Sequence, residues 1–251
     1  MRDDFAYCCC RNSEKNELKP HLKQTWCLSK IDAAFLARLE QILNLYAQPY
    51  DAAYPVVCFD ERPCFLIGDT LLPRPMRKGE IAKQHYEYEK LGSACLLAAL
   101  EPLTGKRLAQ VHAQRTKHEF TLFCLALAAL YPEATKIRLV LDNLNTHNAS
   151  SFYQHLSAEE AFALAERFEL IYTPKGASWL NMIECEFSTI ARLCLDRRIA
   201  TIERLRSEVL ALLHERSAKA IKINWRFSIQ AARSKLNSHY TKVHPHNAKY
   251  E

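Results

Sequence analysis

Two apolar runs in this chain each stop on a carboxylate: Val56-Val57-Cys58-Phe59 ends on Asp60, and Ile137-Arg138-Leu139-Val140-Leu141 ends on Asp142. Alternation along a strand puts Asp60 on the face of Val56 and Cys58, with Glu61 on the other. A charged carboxylate terminating a buried strand is costly unless it is paired, hydrogen-bonded or bound to metal. One such acid reads as a turn residue, whereas two together point to a site where central strands end side by side. A third acid lies in YTPKGASWLNMIECEF, residues 172–187. Pro174 and Gly176 break the chain after a strand, Ser178 is an N-cap candidate, and a helix continues through Trp179, Ile183, Phe187 and Ile190. At about 100° per residue, Glu184 and Glu186 lie about 200° apart on that helix. One of the two faces the site, and spacing does not choose which.

The elements that must position these acids follow from periodicity. Apolar positions Ala34, Phe35, Leu39, Ile42, Leu43 and Tyr46 recur at three and four, predicting a helix over 31–46 with Ser29 or Asp32 near its start. Strand-like runs follow at 55–60, 63–69, 93–102 and 107–114; the first two are separated around Glu61-Arg62-Pro63 and the last two by the turn Leu103-Thr104-Gly105-Lys106, so antiparallel hairpins are expected. The pattern then alternates: helix 118–131, strand 137–142, helix 158–167, strand 168–173, helix 179–196, with helices at 201–216 and about 228–237 to finish. Three antiparallel strands followed by two parallel ones make an α/β mixed sheet flanked by helices, the order of an RNase H-like fold. A doubly wound nucleotide fold is disfavoured: no GxGxxG or GxxxxGK[ST] follows any strand, and the chain holds only five glycines.

Composition bounds the rest. With 251 residues, 49% apolar and 25% charged, the chain can bury one full core. It lacks the roughly 20 uninterrupted apolar residues of a bilayer span and a secretion signal, so a cytoplasmic location, at a bacterial nucleoid, is expected and no membrane partner. Its ten cysteines fall mostly in core-like segments and are expected as reduced thiols, and Cys8-Cys9-Cys10 receives no role. The net charge of +6 is uneven: residues 71–118 carry +5 and 192–242 carry +8, while 119–191 carry −5 and 1–70 carry −2. Basic tracts around an acidic middle suit a phosphate-rich partner, though they do not decide it. His239, His244 and His246 sit in a polar segment expected to be a loose tail.

The combination FDE at 59–61, VLDNLNTH at 140–147 and TPKGASWLNMIE at 173–184 resembles the DDE superfamily of transposases, in the bacterial insertion-sequence branch related to mariner. KNELKP at 15–20, YEYEKLG at 86–92, CLDRRI at 194–199 and WRFSIQAARSKL at 225–236 extend the likeness over nearly the whole chain. Carried across, the resemblance makes Asp60, Asp142 and Glu184 the catalytic and metal-binding acids and leaves Glu186 as a surface residue. Asn143, Asn145 and His147 fall just beyond the second acid, where they either orient it or cap the next helix; Asn181 is placed similarly before the third. The family commonly has a His where this chain has Gly176. Its helix-turn-helix units normally precede the catalytic domain, and residues 1–14 look unlike the family, so a truncated or frameshifted gene is expected.

The resemblance implies three domains of argument: an N-terminal arm and linker helix at 1–54, a catalytic domain at 55–240 and a tail at 241–251. Three carboxylates are hard oxygen ligands suited to two Mg²⁺ or Mn²⁺ ions about 3.5–4 Å apart, which implies in-line phosphoryl transfer on double-stranded DNA, both element ends and target, by a homodimer. Candidate DNA contacts are Arg74, Arg77, Lys78 and Lys83 before the third strand, with Lys175, Arg197 and Arg198 near the third acid. Competing expectations are an RNase H-like nuclease or resolvase without strand transfer, and a non-catalytic DNA-binding remnant.

Overall fold

The computed structural model describes residues 30–249. The KNELKP segment and the cysteine run at 8–10 lie outside the described residues. Helix α1 (Ala33–Tyr46) starts where the Asp32 carboxylate accepts the Phe35 N–H at 3.0 Å, which satisfies one of the orphan donors of the first turn. Three strands follow: β1 (Val56–Asp69), β2 (Tyr88–Leu100) and β3 (Arg107–His112). The alternating part comprises α2 (Lys117–Leu130), β4 (Ile137–Leu141), α3 (Ser150–Tyr153), α4 (Ala158–Glu166), β5 (Phe168–Tyr172) and α5 (Ile183–Leu193), and α6 (Ile202–Ala218), α7 (Ile229–Lys235) and α8 (Asn237–Val243) complete the order. The capping boxes Thr116/Glu119 and Ser157/Glu160 start α2 and α4, each pairing two otherwise unsatisfied N–H groups.

The strands form one sheet in the order β3-β2-β1-β4-β5. β1–β2 and β2–β3 are antiparallel, and β1–β4 and β4–β5 parallel. This is the expected mixed sheet, RNase H-like, with helices on both faces. Val57 and Phe59 of β1 pack with Phe120, Phe123 and Leu127 of α2 and Leu164 of α4. Cys58, one residue out of phase, packs on the other face with Ile183 and Phe187 of α5 and Val209 of α6. Strand alternation thus becomes two cores. A third cluster joins Phe35, Leu39 and Leu43 of α1 to Ala232 and Tyr240 of the C-terminal helices, where Glu40 also accepts from Arg233 and Tyr240. The thiols of Cys58, Cys64, Cys95, Cys124 and Cys194 are free and buried, as expected of core cysteines.

Four sequence expectations are corrected. No hairpin divides 55–60 from 63–69: β1 is unbroken through Pro63, which lies opposite Cys95 of β2. The β1–β4 ladder ends at Cys58, so Pro63 has a sheet neighbour on only one side, the setting in which a strand tolerates a residue without an N–H. Beyond it β1 and β2 continue as a projecting arm, closed by bridges Arg74–Lys83 and Arg77–Glu80 and carrying Leu72 at 93% exposure. Ser178 does not cap α5. It opens a separate 3-10 turn, Ser178–Leu180, reached through Gly176 at φ +74°, a left-handed conformation that favours glycine. The segment expected as a loose tail is helical at Asn237–Val243, with His239 within it.

The fourth correction concerns Glu186. It is 1% exposed rather than on the surface. Its carboxylate takes Arg107 at 2.9 and 3.1 Å and Arg216 at 2.7 and 3.0 Å, clamping the start of β3, the first turns of α5 and the end of α6. Both guanidiniums hold the Glu186 carboxyl below its usual range against the upward push of burial. Arg107 also donates to the carbonyls of Gly105 at 2.5 Å and Ile221 at 2.8 Å. A Cβ on Gly105 would stand 2.8 Å from that same Ile221 oxygen, so the turn before β3 needs glycine for room as well as for its φ of +82°. Glu186→Ala leaves the buried Arg107 without its counter-charge and is expected to lower unfolding free energy by about 3–5 kcal/mol in urea titration. A loss under about 1 kcal/mol, as for a surface pair, contradicts the clamp.

Candidate active site

Cys58 of β1 lies opposite Val140 of β4 in a parallel ladder. Asp60 and Asp142 each follow two residues later, so the register carries both acids to one level on neighbouring strands. Alternation puts both on the face that α5 covers, with Cys58 and Val140. Glu184 stands in the first turn of α5. Asn181, 1% exposed, fixes that turn: its Nδ2 donates to the Phe59 carbonyl at 2.8 Å and its Oδ1 accepts the Ile183 N–H at 3.4 Å. One buried amide thereby links the residue before Asp60 to the residue before Glu184.

Asp60 senses both of the other acids. Burial, followed by the charges of Asp142 and Glu184, pushes the Asp60 carboxyl up to about 7, against the Glu61 N–H that donates to it at 2.7 Å. Asp142 is held low, first by the hydrogen bond from His147, whose Nδ1 lies 2.5 Å from Oδ1. His147 is fully buried, boxed by Phe59 at 5.2 Å and Phe120 at 5.1 Å between ring centroids. Burial disfavours its charge, yet Asp142 and Glu61 together raise its pKa to about 9. Nε2 stands 3.2 Å from Glu61 Oε1, an attraction between charges without hydrogen-bond alignment, since both atoms lack a bonded partner. Glu61 also meets Arg115 at 3.2 Å. The result is a line of alternating charge, Glu61–His147–Asp142, leading from the α2 side to the acids.

An all-oxygen set of carboxylates, one of them driven toward neutrality by burial and then by its anionic neighbours, fits a hard divalent cation. Among the described residues no three such groups are drawn close enough to enclose an ion. Asp60, Asp142 and Glu184 could hold it; the nearby imidazole faces away, occupied by Asp142 and Glu61.

The other sequence-based candidates separate. His147 and Asn181 are brought to the acids. Asn143 is exposed beside Asp142, lining a cleft that also includes Lys175. Asn145 is exposed, and its backbone carbonyl accepts from Asn148. Arg74, Arg77, Lys78 and Lys83 are exposed on the arm. Arg197 is paired with Glu208 and donates to the Cys194 carbonyl. Arg198 is engaged in holding the arm's base, through Asp69 at 2.8 Å and the carbonyls of His85, Tyr86 and Glu87. The roles of Glu61 and Arg115 escaped the sequence reading. Alternation placed Glu61 on the far face, and only the return of His147 to that face reveals its partner.

The sequence profile of the family described as "DDE superfamily endonuclease" matches residues 55–206. No curated protein sequence matches. Among solved structures, the Mos1 strand transfer complex is 12% identical with a TM-score of 0.57, over 97% of this chain and 70% of that one. The Mos1 mariner paired end complex with Mn is 13% identical with a TM-score of 0.53, over 98% and 71%. The corresponding complex with Mg is 11% identical with a TM-score of 0.51, over 98% and 71%. At such identity the likeness concerns the fold.

The acid cluster makes metal-free stability depend on pH. His147 has a folded pKa raised to about 9, so its contribution is complete below its ordinary value near 6.5 and is lost as pH rises through about 9. Asp60, raised to about 7, acts with the same sign: its contribution is present below about 4 and lost through about 7. Thermal midpoints in EDTA are therefore expected to fall from pH 5 to pH 10. His147→Asn flattens the upper part, and Mg²⁺ or Mn²⁺ flattens the lower part by replacing the proton on Asp60. An unchanged upper slope in His147→Asn would sink the His147 assignment.

Proposed function

The chain belongs to the DDE superfamily endonuclease family, and from that premise we propose that it is the catalytic domain of a DNA transposase, of the insertion-sequence branch related to mariner, using Asp60, Asp142 and Glu184 as ligands of two Mg²⁺ or Mn²⁺ ions. The observation that carries this reading is the join made by Asn181: it couples the backbone beside Asp60 to the turn holding Glu184, while the β1–β4 register supplies Asp142. The catalytic unit is residues 55–240. Its partners are double-stranded DNA, at element ends and target, and a second copy of the chain. The solved relatives bearing the Mos1 name include paired end and strand transfer complexes, which supports the same two stages here.

When bound, the metal supplies Lewis acidity toward the phosphate and a more acidic attacking water or 3′-hydroxyl. The protein's own residues prepare for it. Asp60 releases its proton when a cation balances Asp142 and Glu184. Asp142 remains an anion because His147 donates to it from a pocket closed by Phe59 and Phe120. Asn181 keeps the third acid in place. The attacking oxygen forms a bond to phosphorus as the bond to the leaving oxygen breaks on the opposite side, with no covalent enzyme intermediate. A hydroxyl freed by cleavage can then attack a second DNA phosphodiester, which is the joining step.

Metal-dependent cleavage and strand transfer, assayed on linear DNA carrying the ends of the encoding element, are expected to fall to background in Asp142→Asn; activity equal to wild type would refute the acid assignment. Asn181→Ala leaves the Phe59 carbonyl unpaired, at about 1–3 kcal/mol. It is also expected to lower kcat by about a hundredfold through displacement of Glu184, with KM for DNA little changed. A loss confined to stability would show that Asn181 only holds the fold.

A further inference from the structure

A cleft of about 390 Å³ opens beside Asp142, away from the arm. Its lining comes from three places: Arg38 on α1; Asp142 and Asn143 after β4; and Thr173, Lys175 and Ser178 in the segment between β5 and α5. Arg38 and Lys175 are exposed, and among the described residues neither meets a carboxylate at ion-pair distance. They are not the counter-charges of Asp142, whose carboxyl is held low by His147 and Arg115. Two unspent cations from separate elements therefore face a cleft that ends on a candidate catalytic acid. Its size is at the lower end for ligand sites, which span roughly 300–1,000 Å³. That volume suits one nucleotide.

We propose that this cleft is a single-nucleotide subsite, holding one unpaired nucleotide of a DNA strand next to the phosphodiester at the acids, with its phosphate between Arg38 and Lys175. The inference rests on the transposase reading above and adds a substrate form to it. The strand must leave the double helix beside Asp142, and α1, whose apolar face serves the core, contributes a polar residue to the substrate site. Asn143, Thr173 and Ser178 supply short amide and hydroxyl groups suited to the sugar and phosphate oxygens. Arg38 had no sequence signal: a single basic residue on the solvent side of an amphipathic helix looks like any other solvated charge.

The test uses the full chain with Ca²⁺, so that DNA binds without being cut, and fluorescence anisotropy over a KCl series. The probes are a fluorescein-labelled 20-base-pair duplex with a five-nucleotide single-stranded tail and the same duplex with blunt ends. Combining Arg38→Ala and Lys175→Ala removes two contacts to the single strand. The log–log salt slope for the tailed probe is expected to fall by about 0.7, the contribution of the one phosphate that both side chains neutralise, with the blunt probe little affected. Among the described residues neither side chain has an ion-pair or hydrogen-bond partner to lose, so the thermal midpoint stays at the wild-type value. An unchanged slope for the tailed probe overturns the subsite, and so does an equal loss for both probes, which would mark a general basic surface. Failure of the wild type to bind either probe in a salt-dependent way overturns the transposase reading and this inference with it.

Discussion

Repulsion between like charges is the constraint to which this structure answers. The charges of Asp142 and Glu184 reach Asp60, whose carboxyl is pushed up to about 7 by burial first and by those two charges next. No folding chain would gather three carboxylates by their own attraction. The backbone must do it, through the two-residue continuation of the β1–β4 ladder and the buried Asn181 amide. Both devices use main-chain groups, whose positions a side-chain repulsion of a few kcal/mol cannot easily shift.

Two further buried acids show how environment separates roles among identical groups. Glu186 lies two residues from Glu184 on the same helix, yet it is saturated by two guanidiniums and serves as a joint between β3, α5 and α6. Glu61 follows Asp60 directly, yet points to the opposite core, where it balances His147 and Arg115. Adjacent acids are thus divided by the pleat of a strand and by the turn of a helix. Among the described residues one of each pair forms no ion pair, and the other faces two cations.

Much of this was legible in the sequence. Apolar runs ending on Asp60 and Asp142 foretold central strands, and strand alternation correctly assigned Asp60 and Glu61 to different faces. The mixed sheet, antiparallel strands first and parallel ones after, followed from the sequence of periodicities. The errors share a cause: local signals outvoted by tertiary partners. Pro63 looked like a break, but β1 has a neighbour on one side only at that point, so the missing N–H is tolerated. Ser178 looked like a cap, but a 3-10 turn intervenes before the helix. Glu186 looked exposed because its two counter-charges lie 79 and 30 residues away in sequence. Arg198 looked available for DNA, yet it is occupied by carbonyls of the arm. Pairings at such separation leave no trace in spacing.

The unbroken course of β1 has a mechanical corollary. Had a hairpin followed Glu61, the acid would sit at the end of a strand and the arm would hang from a flexible joint. Instead Asp60 and the arm are parts of one rod, laddered to β2 on both sides of a register shift at Leu66/Ile67 and pinned at that shift where the Ile67 N–H meets the Ile199 carbonyl at 2.9 Å. A load applied to the arm's exposed apolar tip is borne along that rod as a lever toward the carboxylate. The outermost part of the molecule is therefore stiffly geared to its most sensitive charge.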